Sequence, residues 1–87
     1  MTEDAAHLAR TLVHRGSLPE RGGLRIILNP VTHSLSMGLA AAPERADAVI
    51  ARDGAVLFVS APAAERMQGR TLCAEITPTR STFFLDP

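Results

Sequence analysis

The side chains able to do acid–base, nucleophilic or metal chemistry are three histidines, one cysteine and nine carboxylates, the last scattered along 87 residues and adjacent only at Glu3–Asp4. His7 and His14 lie seven positions apart on a stretch with helical spacing and so share a face, but two turns hold them about 10 Å apart along the axis. One metal ion cannot reach both, and they read as solvated histidines on a helix surface. His33 falls in the turn between the first two expected strands, where a polar residue needs no special reason. Cys73 is expected beside Thr71 and Glu75 on the polar face of a late strand, partly exposed, with no neighbouring base to make it a thiolate. It reads as a passive thiol. No two acidic residues have a spacing that forces their carboxylates together, so paired-carboxylate catalysis has no support. Gly22 and Gly23 form a loop feature, and neither a phosphate-cradling glycine motif nor a zinc-protease helix motif is present. The expectation is a protein that is not an enzyme and has no catalytic residue.

Length and composition narrow the class further. A chain of 9.3 kDa buries roughly 60 to 65 % of the surface its unfolded form exposes, which is enough for a single domain over residues 1–87. Only three residues are aromatic, all Phe, so base stacking on aromatic platforms is disfavoured. Nine Arg balance nine acids, and Lys is absent, so the net charge of zero offers no general attraction to phosphate or to anionic lipid. Neither nucleic acid nor a membrane is expected as a partner. A lone cysteine cannot form an internal disulfide, the start of the chain is acidic rather than basic, and no apolar run reaches a membrane span. A cytoplasmic location follows as the expectation.

The elements that must position these residues are legible from periodicity. Ala5, Leu8, Ala9, Leu12 and Val13 recur on one helical face, with Thr2 placed to cap and Arg15–Gly16 to stop the helix. After Gly23 the period falls to two, and Leu24, Ile26 and Leu28 define a strand ended by Asn29–Pro30. Leu35, Met37 and Leu39 give a second strand with one apolar face. Val49–Arg52 and Ala55–Val59 flank Asp53–Gly54, the pair suited to a tight hairpin turn. Val56 to Val59 is apolar on both faces and predicts a strand covered on both sides. Ser60 and Pro62 open a short helix that runs to Met67, and Thr71–Ile76 and Arg80–Leu85 supply the last strands. The order of one helix, four strands, one helix and two strands is an α+β domain with a mostly antiparallel sheet system.

This arrangement resembles the HesB-like family, the fold of the A-type iron–sulfur cluster carriers, and in particular its short, cysteine-poor bacterial branch. Thr2 to Ala6 is similar to the family's first-helix start, Gly23 to Ile26 to its first strand, and Leu35 to Met37 to its second. Asp53 to Val59 with Ala61 to Ala64 resembles its hairpin and following helix, while Thr71 to Ala74 and Phe83–Phe84 resemble the final strands. The resemblance implies two small, mostly antiparallel sheets packed as a flattened barrel or sandwich with two helices. It also implies an association with iron–sulfur cluster biosynthesis. The carriers hold iron or a cluster through three cysteines, one after the first strand and a close pair in a C-terminal tail. The first of those positions matches His33 here, Cys73 matches a position that is usually acidic, and no pair follows before Pro87. His33 is thus the one candidate metal ligand. One cysteine cannot supply the thiolates an iron–sulfur cluster needs, so no cofactor is expected beyond the iron or cluster implied by the family. Besides a mononuclear metal site using His33 with Asp or Glu, two kinds of function follow: an accessory to iron–sulfur assembly proteins, or a structural or regulatory module. The second would bind a protein partner, or another copy of itself as a homo-oligomer, through a sheet edge or an apolar strand face.

Overall fold

The computed structural model describes residues 1–19 and 21–87. Helix α1 spans Glu3–Arg15; the Thr2 hydroxyl caps it by accepting from the Ala5 amide, and Glu3 and Asp4 sit at its positive end. It ends at Gly16, whose amide donates to Leu12, and the backbone then turns through the left-handed conformation at Ser17 rather than at the glycine. The strands are β1 (Gly23–Leu28), β2 (Leu35–Ala40), β3 (Ala48–Arg52), β4 (Ala55–Val59), β5 (Thr71–Ile76) and β6 (Ser81–Asp86), with helix α2 (Ala61–Met67) between β4 and β5. Asp53 and Gly54 both have positive φ, 50° and 81°, which forms the two-residue turn whose twist matches a β-hairpin. Ser60 caps α2, and Pro62 occupies its first turn, where no amide hydrogen is needed.

Two sheets result: a four-stranded one in the order β2-β1-β4-β3, and the β5-β6 hairpin. Every pairing is antiparallel except β1 with β4, which sequence periodicity did not indicate. On the inner face of the larger sheet Leu24, Ile26, Leu57 and Val59 join Ala5, Leu8 and Ala9 of α1, Ala63 of α2, and Leu72 and Ala74 of β5 in one core. The opposite face of β4 carries Phe58, only 2 % exposed, so this strand is covered on both sides as its unbroken apolar run implies. Ile76 is exposed although it continues the apolar alternation of β5, because it lies at the hairpin tip beyond the core. One expectation needs correction. Cys73, expected partly exposed, is buried at 9 % exposure: its short side chain sits opposite Phe84, and its thiol donates to the Thr71 carbonyl at 3.6 Å. Among the described residues, no helix is long and apolar enough to cross a membrane.

Candidate functional site: a groove between β2 and β6

The inner face of the larger sheet extends past β1 onto β2, where Leu35, Met37 and Leu39 stand opposite Leu28, Ile26 and Leu24. The core layer does not seal this end. Met37 and Leu39 remain exposed, and on the hairpin side so does Phe84, at 49 %. Between β2 and β6 runs a groove of about 550 Å³, walled by Leu35 and Met37 on one side and Phe83, Phe84 and Leu85 on the other, with Leu72 also lining it. Side chains in β-strands alternate, so Phe83 and Leu85 point towards the core while Phe84 forms the outer lip.

One end of the groove is set by two rigid turns. In the first, the Asn29 side chain accepts from the amides of Val31 and Thr32 at 2.9 and 3.2 Å, and the hydroxyls of Thr32 and Ser34 meet at 2.7 Å. This folds the connection back and places His33 in the left-handed conformation, with φ of 60°. Arg66, in the last turn of α2, donates to the His33 carbonyl at 3.0 Å and ties this turn to the helix. In the second, Gly69 at φ 75° reverses the chain, and the Arg70 amide donates to Met67 as the chain enters β5. Arg66 and Arg70 therefore both line the groove, with no carboxylate among the described residues that line it. Among the described residues neither arginine forms an ion pair.

Elsewhere polar side chains are occupied with holding the fold. The Arg25 guanidinium, on the outer face beside Phe58, grips Asp47 at 3.1 Å and Glu44 at 2.8 Å and binds the β2–β3 loop to the sheet. Hydrogen bonding from Arg25, helped by the Glu44 amide, holds the Asp47 carboxyl below its usual range, and the same contact raises Arg25. Fold thus brings two acids to one cation where sequence spacing showed only separate charges. A second depression, between α1 and the β3–β4 turn, contains Arg10 and His14, but Arg10 is engaged with the Asp53 carbonyl. A third, beside the β5–β6 turn, contains His7, Arg15 and Arg80, and its Thr11 and Thr77 hydroxyls donate to backbone carbonyls at 2.9 and 2.8 Å.

The donor set suits neither iron nor a cluster. Cys73 is buried and bonded to its own strand, His33 lies in an exposed turn, and no three His, Cys, Asp or Glu side chains among the described residues converge as a metal site. The sequence points to His33 as the candidate ligand, whereas what the structure assembles beside that turn is a groove of apolar walls and two arginines. The apolar alternation of β2 and the Phe83–Phe84 pair were its only local signals. Comparison with known proteins gives no match to this chain from family models, from curated proteins or from solved structures.

Proposed function

We propose that this chain is a cytoplasmic, non-enzymatic HesB-like protein that holds a protein partner in the β2–β6 groove and carries no iron–sulfur cluster of its own. The resemblance of its motifs makes iron–sulfur assembly proteins the partner class. The observation that supports a binding role is the groove itself: Leu35, Met37, Phe83 and Phe84 border an open apolar channel alongside strand β2, which ends its sheet. Apolar surface gathered beside an edge strand is the feature that peptide-binding domains use.

Affinity capture from extracts of the native cell, with the wild-type chain and with Phe84→Glu in parallel, tests the reading. Assembly proteins retained by the wild type and lost by the variant are expected. Identical protein sets on both baits would contradict it, and unrelated partners lost with the variant would replace the assembly role with a regulatory one. Anaerobic incubation with ferrous iron and sulfide checks the cluster. A colourless protein after desalting is expected; a stable brown product whose colour disappears in Cys73→Ser would restore the carrier function.

A further inference from the structure

Building on the docking role just proposed, we infer that the segment the groove receives is an extended, apolar peptide bearing at least one carboxylate. It adds as a strand along the free edge of β2, with its acid facing Arg66 and Arg70. All six residues of β2 pair with β1 on one side, and among the described residues none pairs on the other, so the strand whose Leu35 and Met37 line the groove keeps its outward amides and carbonyls unpaired. An added strand satisfies these groups and, by its alternation, directs every second side chain towards the apolar walls.

Charge selects among such strands. Among the described residues the groove is lined by two arginines and no carboxylate, and the only hydrogen bond of either guanidinium is the one from Arg66 to the His33 carbonyl. A carboxylate arriving there meets two cations, while a basic peptide meets repulsion. A second copy is the poorer occupant. Two-fold pairing of β2 with β2 would lay groove against groove, and neither groove has an acid to answer the other's arginines.

The probe is a displayed library of random peptides of about ten residues, long enough to span one strand, selected on the folded full chain. Selected peptides should alternate apolar residues with Asp or Glu. A synthetic representative should bind about tenfold tighter than the same peptide with Lys in place of its acids, and the preference should weaken as salt rises. Arg70→Glu, chosen because the Arg70 side chain makes no hydrogen bond among the described residues, should abolish that preference while leaving the amide spectrum of a folded protein. Equal binding of the acidic and basic peptides would overturn the inference. So would undiminished binding of a peptide N-methylated at alternate positions, which cannot pair as a strand. A dimer that competes with the peptide and is lost in Phe84→Glu would make a second copy the occupant and overturn it too. If no peptide is enriched while Phe84→Glu still loses a captured partner, this inference fails and the docking role stands; if neither is seen, both fail.

Discussion

Ile26 and Met37 stand opposite each other on β1 and β2 and point to the same side of one sheet, yet Ile26 is fully buried and Met37 is 38 % exposed. Their hydrophobicity is similar; what differs is the layer above. Helix α1 lies against β1, β4 and β5, and α2 closes on β1, so the centre of the inner face is sealed by Ala5, Ala9 and Ala63, whose small side chains allow close approach. At β2 that cover thins: Leu39 meets the end of α1 at Gly16 and Leu35 still touches the core, but Met37 lies open and β6 stands apart, leaving the groove. Half of one apolar face thus stabilises the domain, and the other half stays open, the surface that the proposed partner would cover. An open patch of this kind lowers solubility unless it is used.

Mutations that shorten side chains should separate the halves. Phe58→Ala, on the covered outer face, should cost about 3–5 kcal/mol in chemical denaturation, and Ile26→Ala about 2–5 kcal/mol. Met37→Ala should cost no more than about 1 kcal/mol, since part of that side chain already meets water. Comparable losses at Ile26 and Met37 would mean that β2 is covered and that no groove exists. Next in size comes the turn that holds β3 to β4: Gly54→Val should lower stability by about 1–2 kcal/mol, because a β-branched residue is poorly accommodated at positive φ. An unchanged melting temperature would remove the left-handed turn from the account.

The smallest effect concerns the loop that leaves β2 for β3. Because Arg25 lowers the Asp47 carboxyl below its ordinary value, the folded protein binds that proton less readily than the unfolded chain. The contribution is complete above the normal carboxylate range, near pH 4, and is lost as pH falls through the lowered value. Thermal melts from about pH 5 down to about pH 2 should therefore fall less steeply in Asp47→Asn than in the wild type. Parallel curves would show that the ion pair does not tie the loop to the sheet.

Most of the scaffold is legible in the sequence because its signals are local. Thr2 and Ser60 are caps whose partners lie three residues away, Asp53–Gly54 defines its own turn, and the double coverage of β4 is written in four successive apolar residues. The site is less legible because it depends on distant segments. The parallel pairing of β1 with β4 joins residues over thirty positions apart, and Cys73, paired with Phe84, is buried although its neighbours on the same strand face, Thr71 and Glu75, are polar. Arg66 and Arg70 reach the groove only because two turns bring α2 to the start of β2, a juxtaposition that no local spacing in the sequence signals. The alternation of Leu35, Met37 and Leu39 shows which side of β2 is apolar, but whether anything covers it is decided by elements placed far away in the chain.

The most direct test of the central claim is an amide chemical-shift map of the labelled full chain titrated with a selected acidic peptide. Signals of Leu35, Ser36, Met37, Phe83, Phe84 and Leu85 should move together with a single affinity, while those of Leu57 and Val59 in the sealed half stay in place. Shifts confined to the outer face around Ile27 and Val49, or spread evenly over the molecule, would contradict the assignment of the β2–β6 groove as the binding site.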